Sequence, residues 1–222
     1  MLKKFLRAVL VMLQAIGLMI VFSIPEVYLG AIAAIKGNSP ISLENGLIYF
    51  FSIILFIGMS LIVAHKRKWF TLSFKGLTWK NVLIYIVGGF ALFHIIGEVG
   101  YYLLSLSGEV TTANEIALQE RNMRLPLYLT FTITAFKAPI VEEVVFRGFM
   151  RHALKDLSSI WYFVFSTFSF ALLHSPTNLA SWFIYGSMGL VLAIVYDKTK
   201  RLEYGIGLHL INNIISQLSN II

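Results

Sequence analysis

Apolar residues arrive in long runs divided by short polar stops, and those runs define the elements. The first extends from about Ala8 to Ile35 with Pro25-Glu26 interrupting it. It reads as one kinked helix, or as a helix followed by a shorter interfacial piece. A second run covers about Gly46 to Ala64 and stops at His65-Lys66-Arg67-Lys68-Trp69, and a third covers about Val82 to Leu106. The polar stretch Ser107 to Arg124 carries Glu109, Glu115 and Glu120 among Ala, Leu and Gln, a composition that suits a short surface helix. The fourth run starts at Pro126, a favourable first-turn residue, and ends beyond Glu143. The fifth covers about Ile160 to His174, the sixth about Leu179 to Tyr196, and the last and most polar about Tyr204 to Ile222. A hydrocarbon core of about 30 Å takes about 20 apolar residues of helix to cross. The pattern therefore predicts an all-α fold, a polytopic transmembrane helical bundle of about seven spans. Short loops and the lack of any internal repeat predict a single integral-membrane domain over residues 1–222.

Composition agrees, with 58% hydrophobic residues, only 13% charged and a mean hydropathy of +0.79. The net charge of +7 is explained by where the cations fall. With seven spans and the N-terminus inside, the inner segments hold Lys3, Lys4, Arg7, Lys66, Arg67, Lys68, Lys75, Lys80, Arg147, Arg151, Lys155, Lys198, Lys200 and Arg201. Outside remain Lys36, Arg121 and Arg124. That asymmetry predicts a cytoplasmic N-terminus and a C-terminus on the far side. Trp69, Trp79 and Trp161 then fall at the inner boundary. The basic excess is thus topological: the expected partners are membrane lipid and a membrane-associated peptide or protein, not nucleic acid, and the oligomeric state stays open. The chain has no cysteine, so disulfides, thiolate metal sites and cysteine-linked lipidation are excluded. Lys3, Lys4 and Arg7 precede an apolar run too long for the core of a cleaved signal.

Against this background the polar groups within the apolar runs stand out. In Pro139-Ile140-Val141-Glu142-Glu143-Val144-Val145-Phe146-Arg147-Gly148 two carboxylates and an arginine share one run. Each charge inside a bilayer costs roughly 2.5–3.5 kcal/mol on insertion scales, so such groups usually pair and serve function. Glu143 and Arg147 are spaced i,i+4 and can pair along one face. Glu142 lies about 100° further round and is left free. The fifth run closes on Phe170-Ala171-Leu172-Leu173-His174, and the last places His209 and Asn213 at i,i+4. Taken singly, His174 could be an interfacial histidine, His209 and Asn213 interhelical hydrogen-bonding partners, and the acidic–basic cluster a structural ion network. Together they suggest hydrolysis: a carboxylate takes a proton from water, while imidazoles and an amide hold that water and the developing oxyanion. A peptide bond is the target that needs both. The set converges only if the fourth helix continues past Arg147 and the fifth is tilted, since His209 lies about 8 Å and Asn213 about 14 Å along the last helix from Tyr204.

Glu142-Glu143-x-x-x-Arg147, Phe170-x-x-x-His174 and His209-x-x-x-Asn213, in that order on three hydrophobic segments, resemble the CPBP family. This family comprises the type II CAAX prenyl proteases and the bacteriocin-processing or Abi intramembrane proteases. The resemblance spans about Pro139 to Asn213 and places the catalytic helices within about 126–222. It implies a helical membrane fold with the site in a cavity open toward the cytoplasm. It makes Glu142 the water-activating glutamate, with Glu143 and Arg147 as its supporting pair. His174 and His209 become the water- or oxyanion-binding histidines, and Asn213 the closing amide. Members are described both as metalloproteases and as metal-independent glutamate proteases. Glu142, His174 and His209 could ligate zinc, although the i,i+4 histidine pair of the H-E-x-x-H metalloproteases is absent.

The function expected is an intramembrane endopeptidase of a cell membrane, acting in peptide maturation, CAAX-type processing or bacteriocin immunity. A non-catalytic membrane protein that binds a bacteriocin or a sensor protein is the alternative. A transporter would need repeat symmetry or substrate-path charges in several helices. Among the remaining polar residues, His94 and Glu98 read as an i,i+4 pair that could line the same cavity. Glu26 and Lys137 read as snorkelling or network residues, His152 as inner surface, and Gly186 and Gly189 as sites of close helix contact.

Overall fold

The computed structural model describes residues 1–36, 41–70, 73, 75 and 77–219, and these form nine helices with no strand among them. Helix α1, Leu2–Phe22, buries Ala8, Val11, Ala15, Met19 and Phe22, a single stripe at helical spacing, and leaves its other faces apolar and exposed. It breaks at Ser23, and α2, Ile24–Lys36, starts with Pro25 in its first turn. The first apolar run is therefore two helices. Helix α3, Leu43–Lys66, starts at Ser42, whose hydroxyl accepts from the Asn45 N–H. Helix α4, Trp79–Leu106, includes a π-helical stretch, Val82–Val87. The polar stretch forms α5, Ala113–Arg124, opened by a capping box between Thr112 and Glu115.

Helix α6 covers residues 127–153 without a break. Its α-helical turns Leu127–Phe131, Ala138–Glu142 and Met150–Ala153 are separated by π-helical stretches at Thr132–Lys137 and Glu143–Phe149. Helix α7, Ser159–Leu173, is followed by His174 and by Ser175 at φ 48°. Helix α8, Leu179–Thr199, ends on Lys200 in the left-handed region, and α9, Leu202–Ser219, completes the described chain. Asn220, Ile221 and Ile222, which close the last apolar run, lie outside the described residues.

Helix α6 is the axis of the bundle. It packs against α1, α3, α7, α8 and α9, and every residue from Val141 to Gly148 is buried. Over that stretch the helix has no lipid-facing side. Around it, α1, α3 and α4 expose large apolar residues such as Leu10, Phe51, Leu55, Ile95 and Val99, the surface that hydrocarbon would cover.

The expectation of about seven spans is overturned. Among the described residues four helices are long and apolar enough to cross a membrane: α1, α3, α4 and α8. Helix α2 has 13 residues and α7 has 15, about 20 and 22 Å of helix, short of a hydrocarbon core of about 30 Å. Helix α6 is long enough but carries Lys137, Glu142, Glu143 and Arg147. Helix α9 carries the polar residues noted above. An apolar run is therefore not by itself a span: α2 and α7 are too short, and α6 and α9 are too polar. The orientation argument depended on seven alternations of side, so the cytoplasmic N-terminus and the opposite C-terminus fall with it. The all-α class stands, and the chain is a multi-pass membrane protein.

Candidate active site

Helix α6 continues well past Arg147, and its winding arranges the charged residues. Glu142 closes an α-helical turn, and Glu143 opens the π-helical stretch that runs to Phe149. π-helical insertions recur at functional sites because they re-aim successive side chains. Here the two neighbouring carboxylates face different surroundings.

Glu143 and Arg147 are sealed in the core, both fully buried, with Glu143 Oε1 3.1 Å from Arg147 Nη1. Arg147 Nη2 donates to the Gly189 carbonyl at 3.0 Å, and its guanidinium carbon sits 4.6 Å from the centre of the Phe170 ring. Gly189 allows this approach: a Cβ there would lie 3.0 Å from Phe170 Cδ1. Gly186 has open space around it and serves no such contact. On the other side of the pair, α9 comes so close that a Cβ at Gly205 would lie 2.7 Å from Glu143 Oε2. Gly205 stands one turn before His209, whose Nδ1 reaches to 3.5 Å from Glu143 Oε1. The buried pair thus sets where the His209 ring can lie.

In front of this pair is a cavity of about 640 Å³. Glu142, His174, His209 and Asn213 all line it; Glu143 and Arg147 do not. His209 Nε2 lies 4.0 Å from Glu142 Oε2, too far for a direct hydrogen bond and a suitable gap for one bridging oxygen. His174 Nδ1 lies 2.8 Å from the Phe170 carbonyl. A carbonyl only accepts, so Nδ1 carries the proton and Nε2 presents a lone pair. The ring is further held by stacking on Tyr185, with centroids 4.5 Å apart. Tyr185 is fixed in turn by a 2.6 Å hydrogen bond to Thr112, at the cap of α5.

Asn213 is positioned by a backbone irregularity. In the π-helical stretch the Ala138 N–H bonds to the Ile133 carbonyl, and Pro139 has no N–H to offer Thr134. The Thr134 carbonyl is left without a helical partner, and Asn213 Nδ2 donates to it at 2.9 Å. Asn213 Oδ1 accepts from Asn212 at 3.2 Å. The second hydrogen of Asn213 Nδ2 remains available.

His94 and Glu98 also line the cavity, 3.8 Å apart and largely exposed. Glu26 and Lys137 form a network residue pair, with Lys137 Nζ 2.6 Å from both Glu26 oxygens. The residues not foreseen are Gly205, Thr134, Tyr185 and Arg121. Gly205 had a signal, an i,i+4 spacing to His209, and Thr134 had one in Pro139 five residues on. Tyr185 and Arg121 had none.

Residues 124–215 match the family described as Type II CAAX prenyl endopeptidase Rce1-like, and all six motif residues fall within that match. That match covers 124–215 alone, and it agrees with the resemblance to the CPBP family that the motifs carry. The chain's similarity to individual proteins is distant. It is 28% identical over 169 residues to YvdC of Lactococcus lactis subsp. lactis (strain IL1403), 75% of this chain and 63% of that one. It is 28% identical over 136 residues to YdiL of Bacillus subtilis (strain 168), 59% of this chain and 53% of that one. It is also 27% identical over 198 residues to the membrane-embedded CAAX protease MroQ of Staphylococcus aureus (strain USA300), 82% of this chain and 78% of that one. The matches to YvdC and YdiL thus span between about half and two thirds of those proteins' lengths. No solved structure matches the chain significantly. Among the described residues no three His, Asp or Glu side chains are grouped to hold an ion.

Proposed function

We propose that this protein is an intramembrane endopeptidase of a cell membrane that hydrolyses a peptide bond in a membrane-associated peptide or protein, using water activated by Glu142. The observation that carries this reading is the shared cavity: Glu142, His174, His209 and Asn213 line one space, with the Glu143–Arg147 pair closed off behind them. Charge neutralised within the buried pair leaves Glu142 as the carboxylate that meets the cavity.

In this scheme a water sits between Glu142 and the two imidazoles. The lone pair on His174 Nε2 accepts one of its hydrogens, and Glu142 takes the other proton as the oxygen bonds to the substrate carbonyl carbon. The carbonyl π electrons move to oxygen, and His209 Nε2–H and the free Asn213 N–H donate to that oxyanion. Glu142 then passes its proton to the amide nitrogen as the C–N bond breaks. The substrates that suit a cavity of this size within the bilayer are a CAAX-type tail, a leader peptide or a bacteriocin precursor.

The test is Glu142→Gln and, separately, Glu143→Gln in cells that report peptide maturation or bacteriocin immunity, with membrane accumulation of the protein followed in parallel. An enzyme loses the phenotype while the Glu142→Gln protein still accumulates. A binding protein tolerates that near-isosteric change. Hydrolysis by purified protein is expected to survive chelation of divalent ions.

A further inference from the structure

Arg121 lies outside the three motifs and outside the matched residues, yet it lines the same cavity as Glu142. Its surroundings leave its charge uncompensated. Nη2 donates to the Thr134 hydroxyl at 2.6 Å, and Nε is buried without a hydrogen-bond partner. Nη1 makes no hydrogen bond among the described residues and is not sealed off, and Arg121 makes no ion pair there within 4.0 Å. Glu26, whose field reaches Arg121, is held through both oxygens by Lys137. A half-buried guanidinium with free donors, in a cavity walled by apolar helices, is costly unless an anion arrives to meet it.

We infer that Arg121 is a specificity-determining residue, which receives a carboxylate carried by the peptide substrate at a fixed distance from the bond that Glu142 attacks. This rests on the reading of Glu142 given above. The distance follows from α6. Arg121 is tied to Thr134, and Glu142 lies eight positions further along that helix. At 1.5 Å per residue this is about 12 Å, somewhat less where the helix widens to π geometry. An extended peptide covers about 3.3–3.6 Å per residue, so roughly three residues separate the anchored carboxylate from the scissile bond. The group is a chain-terminal carboxylate or the side chain of an Asp or Glu at that position, and the same donors serve either one.

The probes are fluorophore-labelled Leu-Val-Leu-Val-Leu peptides ending in a free acid, in an amide, or in an amide with Glu as the last residue. Binding is measured by anisotropy to the full chain carrying Glu142→Gln, in detergent micelles and in phosphatidylcholine vesicles. The free acid or the Glu-bearing amide should bind at least tenfold more tightly than the plain amide. Arg121→Gln should abolish that difference, and Arg121→Lys should keep part of it, with unfolding midpoints close to the parent. Equal binding of all three peptides, or of none, overturns the proposal, as does discrimination that survives Arg121→Gln. Competition by phosphatidylglycerol that depends on Arg121 also overturns it, because the anion would then be a lipid phosphate. Cleavage of the acid peptide by the unmodified protein is followed separately by mass spectrometry. Discrimination without cleavage would count against hydrolysis and leave the anchor standing.

Discussion

Arg147→Met tests how the buried pair holds the site together. In the wild type, Arg147 meets the Glu143 carboxylate at 3.1 Å, the Gly189 carbonyl at 3.0 Å and the face of Phe170, and neither charged side chain touches solvent. Removing the cation leaves Glu143 as an unpaired buried carboxylate. Breaking such a pair from one side costs about 3–5 kcal/mol, out of a total stability of about 5–15 kcal/mol. Glu143→Leu should cost a similar amount, because Arg147 would keep only a carbonyl and a ring. Replacing both removes the desolvation penalty together with the attraction, so the double variant should be at least about 3 kcal/mol more stable than the sum of the two single costs suggests. Denaturant unfolding of the purified full chain in micelles, followed by far-ultraviolet circular dichroism, measures all four corners of this cycle. If a single variant fails to accumulate, Arg147→Lys takes its place; it keeps the charge, loses the planar fork and should fall in between. Single costs that add within about 0.5 kcal/mol, or that stay below about 1 kcal/mol, would refute the reasoning.

Two further outcomes follow from backbone contacts. Gly205→Ala should push α9 away from Glu143 Oε2, costing about 1–3 kcal/mol by overpacking and lowering hydrolysis with it; Gly186→Ala, where space is open, should change neither, and unfolding midpoints with rates read both. Asn213→Leu should leave the Thr134 carbonyl without a partner, at about 1–3 kcal/mol, whereas Asn213→Gln should recover part of that loss in the same unfolding assay.

The helices and the polar side chains that line the cavity were legible in the chain because both rest on local spacing. Apolar runs marked nearly every helix, and the i,i+4 intervals of Glu143 with Arg147 and of His209 with Asn213 survive as contacts or shared walls. The number of spans was not legible. Hydropathy reports composition and not length: α7 is as apolar as a span on its buried face and on its exposed one, at Val164 and Phe168, while its 15 residues are too few to cross. The π-helical stretches of α6 were hidden for a different reason: they arise from packing and from the N–H missing at Pro139, with no periodic signature. Close approach at Gly205 and the stacking of Tyr185 on His174 depend on which helices become neighbours, which no single run encodes.

Glu142 as the group that activates water is tested most directly by mass spectrometry of a membrane-associated peptide incubated with the purified protein in 18O-enriched water. The wild type is expected to give two fragments with the heavy oxygen in the new carboxylate, and Glu142→Gln to slow their appearance by about 10²–10⁴-fold while the protein stays folded. Wild-type rates of labelled product from Glu142→Gln would contradict the account.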